Sequence, residues 1–371
     1  MRVLIAGGGT AGHINPGIAI AKYIQQKNND AEILFVGTKR GLETSLVPRE
    51  GFKIELIKVK GFRRKLSLDT FVSIKEMFQG IIEARRLIKS FKPDVVIGTG
   101  GYVCGPVVFN ASMMKIPTVI HEQNALPGVT NRILSRFADA VAISFQESKK
   151  FFKSAKNLVY TGNPIRSEML ETDKASARAK LGKSKSDSIV VIFGGSRGAE
   201  RLNDAVVEML LDDYKEEDCD IIYATGESLF EGISKELASI QHQHLEVVPY
   251  IYNMADVMAS ADLVVSRAGA ITISELTALG VPAIMIPSPY VTANHQEHNA
   301  SALEEQGAAV VILEKNLNGR ILYMQIMDLL RNREQLSKMA RNSKKMGIVN
   351  ATEKIYTIIN DVIEAKKTKA H

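Results

Sequence analysis

The residues best suited to chemistry fall in three short runs, each placed where an apolar segment ends. The first is SRAGAITISE, residues 266 to 275. A β-branched strand, Leu263 to Ser266, leads into a small-residue turn, Arg267 to Ala270, and then into a helix that ends near Gly280. Pro282 and a second apolar strand, Ala283 to Ile286, follow. Gly269 is expected to let the backbone turn sharply, so that the helix aims its unpaired N–H groups at a ligand. With the helix dipole behind them, those donors suit a phosphate, and Thr272 adds a hydroxyl. Glu275, about one turn further in, is placed for both hydroxyls of a ribose. The same spacing equally describes a solvated glutamate on an ordinary helix.

The second run is GGGTAGHINPG, residues 7 to 17. A strand, Arg2 to Ala6, enters these glycines and a helix, Ile18 to Gln26, leaves them, an order in which backbone N–H groups cradle phosphate. Gly7, Gly9 and Gly12 satisfy G-x-G-x-x-G, but a dinucleotide site also wants an acid after the next strand. Here Ile33 to Gly37 is followed by Thr38, Lys39 and Arg40. A 2′-phosphate reader would use the two cations, so an NADP-linked site weakens without being excluded. No Gly-Lys-Ser/Thr follows the glycines, and the run is not a P-loop. His13 sits at the mouth of the turn, where the positive end of the helix dipole disfavours the imidazolium. A neutral ring there suits a general base; hydrogen bonding to the turn is the other reading. The third run, HEQNALPG from 121 to 128, closes a strand from Thr118 to His121. Polar residues at the carboxyl end of an open parallel strand face the ligand crevice, which makes Glu122 a second candidate acid/base and Asn124 a candidate donor.

These runs need strands and helices in a fixed order to hold them. Asp94 to Ile97 opens into another glycine turn, GTGGYVCGP, and Ala140 to Ile143 and Leu158 to Thr161 complete the first half. Ile189 to Phe193 then enters GGSRGAERLN, repeating the opening of the chain, so two doubly wound halves stand in tandem. TGNPIR (161 to 166) and the charged stretch Glu171 to Ser188 mark their junction. In the second half Gly195 and Ser196 offer another phosphate-facing loop, and Asp220 to Ala224 and Leu245 to Val248 supply strands. The loop Tyr250 to Asp256 carries backbone groups, those of Ile251 among them, able to read a flat base edge. Helices near Ile321 to Leu336 and Ala351 to Lys366 precede a basic tail.

Composition bounds the possibilities. A chain of 371 residues exceeds one comfortable core, and 45% apolar with 24% charged residues describes an ordinary globular protein. Cys104 and Cys219 cannot build a disulfide framework and fit a reducing cytoplasm. No apolar run reaches spanning length, and no signal peptide is expected before Arg2. The net charge of +6 points to anionic partners, although no dense Lys/Arg stripe interleaved with aromatics argues for nucleic acid. Asp218-Cys219-Asp220 reads as solvated surface rather than a metal site, and Gln241 to His244 as a polar loop. From Lys58 to Lys92 the chain is basic and apolar together. Phe71, Ile74, Phe78, Ile81, Leu87 and Phe91 recur at helical spacing, which fits a core-facing stripe and a patch resting on an anionic membrane alike.

GGGTAGH with its following PG, GGY ending at Tyr102, HEQN, TGNPIR, GGSRGA, SRAGAITISE and NHQ (294 to 296) occur in this order from residue 1 to about 360. Together they resemble the MurG family, the bacterial N-acetylglucosaminyltransferases of peptidoglycan synthesis. The resemblance implies an α/β fold of GT-B type, two Rossmann-like doubly wound domains facing each other across a cleft. Residues 1–163 would bind the lipid acceptor and the membrane surface, and 164–350 would bind UDP-GlcNAc. The 351–371 helix and basic tail would return to the first domain. It implies a hexosyltransferase that moves GlcNAc from UDP-GlcNAc to the MurNAc 4-OH of lipid I with inversion, giving lipid II and UDP.

Carried onto matching positions, the resemblance assigns His13 as the base with Glu122 its rival. The donor would be held by Thr10, Ala11, Gly12, Asn124, Arg166, Ser196, Ile251, Ala270, Ile271, Thr272, Ile273, Ser274, Glu275 and Gln296. Gly9, Gly100, Gly101 and Tyr102 would line the acceptor pocket. Lys65, Phe71, Ile74, Lys75 and Phe78 would rest on the cytoplasmic face of the cell membrane, as in a peripheral enzyme. No metal would be tightly bound, with Mg²⁺ at most a loose counter-ion. Other proteins of wall synthesis and division are expected partners. An NADP-linked oxidoreductase and a non-catalytic nucleotide-sugar binding module are the competing readings; neither explains the repeat and Glu275 together with a turnover site.

Overall fold

The computed structural model describes residues 1–39, 41–59, 68–184, 188–195, 198–215, 219–240 and 242–368, and for 68–76 the backbone alone. Two compact units emerge, one formed by Met1–Ile165 with Asn350–His371, the other by Arg166–Val349.

In the first unit seven strands run parallel: β1 Arg2–Gly7, β2 Glu32–Gly37, β3 Lys53–Leu56, β4 Val95–Gly100, β5 Thr118–Glu122, β6 Ala140–Ile143 and β7 Leu158–Tyr160. Their order is β3-β2-β1-β4-β5-β6-β7, so the winding reverses between β1 and β4, with Val3 in register with Ile33 on one side and Val95 on the other. That reversal opens a crevice at the carboxyl ends of the two strands. Alternation in β1 feeds two layers. Val3 and Ile5 pack with Ile14, Ile18, Ile355 and Ile359, while Leu4 and Ala6 pack with Ile88, Val107 and Ile120. A strand buried on both faces reads as a continuous apolar run, and VLIA is one.

The second unit repeats the plan with six strands: β8 Ile189–Phe193, β9 Asp220–Ala224, β10 Leu245–Val248, β11 Leu263–Ser266, β12 Ala283–Met285 and β13 Ala309–Val311. Their order is β10-β9-β8-β11-β12-β13, all parallel, with the reversal between β8 and β11.

Three local expectations are corrected. The first helix begins at Ala11, not Ile18, because the N–H groups of His13 and Ile14 already bond to the Thr10 carbonyl. Pro16 and Gly17 are accommodated inside that helix. Gly17 lies where the helix crosses β1, and a Cβ there would come within 3.2 Å of Ile5. Asp220 is not solvated: at 5% exposure it pairs with Lys183 at 2.8 Å and with His244, so the two polar motifs set aside in sequence meet at one strand start. Asp218 and Gln241 lie outside the described residues, and among the described residues no cluster able to hold a metal occurs. The third correction concerns Gly269, whose φ of −68° is open to any residue. A Cβ there would meet nothing nearer than Thr272 Oγ1 at 3.6 Å.

The helix Leu68–Phe91 divides along its length. Its last turns pack inward through Ala84, Ile88 and Phe91, whereas Phe78 and Ile82 stand 59% and 52% exposed. Lys65 lies outside the described residues, as do the side chains of Phe71, Ile74 and Lys75.

Candidate active site

At the carboxyl edge of the first sheet, the two glycine turns after β1 and β4 lie against each other. The Gly8 N–H donates to the Gly100 carbonyl at 3.3 Å. His13 is partly buried over this junction. Its Nδ1 lies 3.1 Å from the Gly8 carbonyl and 3.4 Å from Thr10 Oγ1. The ring requires glycine beneath it. Gly100 has φ +118°, and a Cβ there would come 2.5 Å from His13 Cδ2. Gly101, at φ +85°, would place a Cβ 2.4 Å from the Gly8 carbonyl oxygen. Sequence separates these residues by nearly ninety positions; the switch between β1 and β4 joins them. Tyr102 projects from the same turn, 59% exposed, and Gly9, Thr10 and Gly12 are exposed beside it.

Glu122, the rival base, is 2% exposed and surrounded by donors. Its Oε1 accepts from the Asn124 N–H at 3.0 Å and the Asn124 side-chain amide at 3.3 Å. Its Oε2 accepts from the Gly128 N–H at 3.1 Å and Asn131 Nδ2 at 2.9 Å. A carboxylate so occupied is a strut for the HEQN loop. The neighbouring residues brace it further. His121 Nε2 donates to the Gly162 carbonyl at 3.1 Å, and Asn163 Nδ2 donates to the Gln123 carbonyl at 3.1 Å. Burial drives the His121 ring down to about 4, and the bond to Gly162 restores only part. It is therefore neutral and structural. Burial likewise pushes the Cys104 thiol up to about 12, where it lies 2.9 Å from the Ala6 carbonyl as an inert packing group.

In the second unit the helix Ala270–Leu279 starts directly from the turn after β11, without a side-chain cap and without an acid in its first turn. Arg267 anchors that turn through Glu314 and the Ile286 carbonyl. Gly280 closes the helix in the left-handed conformation, φ +78°. Ala270 and Ile273 face inward, Ile271 and Thr272 are partly exposed, and Ser274 Oγ turns back to the Ala270 carbonyl at 2.9 Å. Glu275 is the exception to the solvated reading. It is 4% exposed and accepts from Arg166 Nε at 2.8 Å. Burial raises its carboxyl above the usual range while Arg166 pulls it back. Arg166 is itself opposed by burial and favoured by Glu275. Two residues 109 positions apart thus form one charged pair on the helix Ala270–Leu279.

The Ile251 side chain is buried at 4%, which fixes its backbone between Tyr250 and Tyr252. Gln296 opens the helix His295–Glu305 and accepts from the Ser288 N–H at 2.9 Å, after Ala293 and Asn294 turn the chain at φ +55° and +54°. Ser196 lies outside the described residues.

One buried acid at a glycine turn escaped the sequence. Glu43, wholly buried, reaches from the helix Glu43–Arg49 into the first glycine turn. The only available signal was the glycine at each end of its approach, Gly37 and Gly41.

Two parallel doubly wound sheets, each ending in a glycine turn at the point where its winding reverses, define the two-domain GT-B class of nucleotide-sugar glycosyltransferases. Residues 3–143 match the glycosyltransferase family 28 N-terminal domain, and residues 189–355 match the C-terminal domain of that family. A relative from Acetivibrio thermocellus is 63% identical over 366 residues, covering 99% of both chains. One from Ruminiclostridium cellulolyticum is 55% identical over 98% of this chain and 100% of its own. Both are named UDP-N-acetylglucosamine–N-acetylmuramyl-(pentapeptide) pyrophosphoryl-undecaprenol N-acetylglucosamine transferase. Among solved structures, Acinetobacter baumannii MurG superposes with a TM-score of 0.79 at 29% identity, over 97% of this chain and 99% of that one. The chain belongs to glycosyltransferase family 28 and, within it, to the MurG family.

Proposed function

We infer that the chain transfers GlcNAc from UDP-GlcNAc to the MurNAc 4-OH of lipid I, inverting the anomeric centre and releasing lipid II and UDP. The observation that carries this reading is near-full-length identity of 63% to a relative named for that reaction. The geometry supplies the parts. The helix start at Ala270 suits the donor diphosphate, and Glu275 suits the ribose diol. His13 takes the proton of the attacking hydroxyl as the O4–C1 bond forms and the C1–O bond to UDP breaks, the electron pair leaving with the diphosphate. Glu122 holds the loop and is not the base, since all its acceptor sites are engaged. Backbone donors at a helix start balance the departing charge, and Mg²⁺ would act at most as a loosely held counter-ion. A dinucleotide reading fails on Glu43, which already occupies the Gly9 N–H that a cofactor phosphate would need.

Lipid I is anchored in a membrane, and Phe78 and Ile82 supply exposed apolar surface for resting on it from the cytoplasmic side. Other wall-synthesis and division proteins are the expected company there. UDP release from UDP-GlcNAc, measured with and without a lipid I analogue, tests the reading. Acceptor-dependent release is expected. Donor binding without turnover on any acceptor would remove the substrate assignment and leave the fold.

A further inference from the structure

We propose that Glu43 is a positioning residue for His13, acting through the single peptide group that joins Gly8 to Gly9. The proposal rests on reading His13 as the base. One face of that peptide, the Gly9 N–H, donates to Glu43 Oε2 at 2.8 Å. The other, the Gly8 carbonyl, lies 3.1 Å from His13 Nδ1. Because a peptide group is planar and conjugated, fixing its N–H fixes the direction of its carbonyl. A carbonyl oxygen only accepts, so this contact puts the ring proton on Nδ1 and the lone pair on Nε2. A carboxylate on the N–H also polarises the carbonyl and strengthens its hold on the imidazole. The result is a carboxylate–peptide–histidine chain, in which a backbone amide stands where a direct carboxylate–imidazole bond would otherwise orient the ring.

The carboxylate is itself held in a made space. Its Oε1 accepts from the Thr38 N–H at 2.8 Å and Thr38 Oγ1 at 2.9 Å. A Cβ on Gly8, Gly37 or Gly41 would come 2.6, 2.4 or 1.8 Å from its atoms, so three glycines leave the volume it fills. The two oxygens have distinct duties. Oε1 ties the carboxylate to the end of β2, and Oε2 ties the glycine turn to the carboxylate. Gly101, excluded from carrying a side chain by the Gly8 oxygen, closes the opposite side of the same peptide.

The test is the tautomer of His13 in the full-length protein labelled with ¹⁵N-histidine, assigned by loss of the signal in His13→Ala. The proton is expected on Nδ1 in the unmodified protein. A ring protonated mainly on Nε2 overturns the proposal whether or not any variant folds. In Glu43→Gln, Oε1 goes to the two Thr38 donors and the amide nitrogen then meets the Gly9 N–H donor to donor. The Nδ1–H fraction is expected to fall, and kcat to drop roughly 10-fold with donor KM unchanged. Thr38→Val is the control. It removes a donor from the other oxygen at the same buried place and is expected to leave the tautomer alone. Equal tautomer changes in the two variants would reduce Glu43 to a packing role and overturn the proposal. A tautomer shift in Glu43→Gln with unaltered kcat would support the relay and remove His13 from the chemistry, which separates the two failures.

Discussion

The two sheets solve the same geometric problem, a glycine turn where a strand meets a helix, in opposite ways. The turn after β1 is filled from within. Glu43 takes the Gly9 N–H, and the Gly100–Gly101 turn backs it so closely that only glycine fits. The turn after β11 brings no carboxylate to its helix start. Gly269 has an ordinary backbone, the following helix has no side-chain cap, and the nearest carboxylate, Glu275, lies one turn in and is held by Arg166. A turn that has consumed its own donor can orient a side chain. A helix start without an acid in its first turn suits an incoming anion. The lesson is that a glycine fingerprint reports backbone proximity, and the residue brought to it decides whether that proximity serves a ligand or a catalytic group.

If that division holds, variants in the two turns should fail differently. His13→Ala is expected to lower kcat about 10²- to 10⁴-fold while UDP binding, followed by calorimetry, stays within experimental scatter. Should Glu122→Ala abolish turnover while His13→Ala does not, the roles of the two are reversed. Glu275→Ala is expected to act on the other side of the divide, weakening UDP-GlcNAc binding about 10- to 100-fold through loss of a charged, buried hydrogen-bond acceptor. Its effect on kcat at saturating donor should be small, and a loss confined to kcat would erase the contrast.

Membrane contact should also belong to one unit only. Phe78→Glu is expected to reduce co-sedimentation with anionic vesicles roughly 10-fold, from the transfer free energy of one aromatic side chain. Unchanged sedimentation would take the exposed end of the Leu68–Phe91 helix out of the membrane reading. The smallest effect sought is on acid stability. Unfolded, His121 takes a proton near its ordinary 6.5; folded, only near 4. Between those values the unfolded chain binds the extra proton. Stability from this group is therefore complete above about pH 6.5 and declines as pH falls, by about 2 kcal/mol at roughly pH 5. No described histidine of the second unit is buried, so urea unfolding with limited proteolysis at neutral and mildly acid pH should show the first unit weakening alone. Asn in place of His121 should flatten that dependence.

Much of this arrangement was legible in the sequence, for identifiable reasons. Parallel strands buried on both faces give unbroken apolar runs, so VLIA, IVVIF and LVVS announced β1, β8 and β11 almost to the residue, while the strand expected at Asp94 to Ile97 runs on through its glycines to Gly100. The repeated strand–glycine–helix start announced two units. The edge strands Lys53–Leu56 and Ala309–Val311 went unread: the first alternates polar and apolar residues in the sequence KIEL, and the second is three residues long. The site was legible where a motif holds its own residues together and opaque where the fold brings distant ones into contact. Ala270 to Glu275 could be read as one surface. That Arg166 would reach Glu275 and that Glu43 would lie under Gly9 depend on contacts between residues 109 and 34 positions apart. Local spacing contains no such information.

The last helix, Ala351–Thr368, has a consequence for how the chain is made. Its Ile355, Ile359 and Ile363 lie in the same core as Val3 and Ile5, and Lys366 reaches Asp139 at 2.7 Å and the Ile116 carbonyl at 2.9 Å. The first-synthesised half is therefore missing a wall until residues 351–368 leave the ribosome, whereas residues 166–349 have all their parts earlier. During translation the order of completion is the reverse of the order of sequence: the second unit can close while the unit carrying His13 still lacks the helix that covers β5 and β6. A ribosome stalled shortly before Ala351 would present a finished second unit tethered to an unfinished first one, with the apolar surface of β5, β6 and the helix Ala11–Lys27 open to whatever chaperone arrives first.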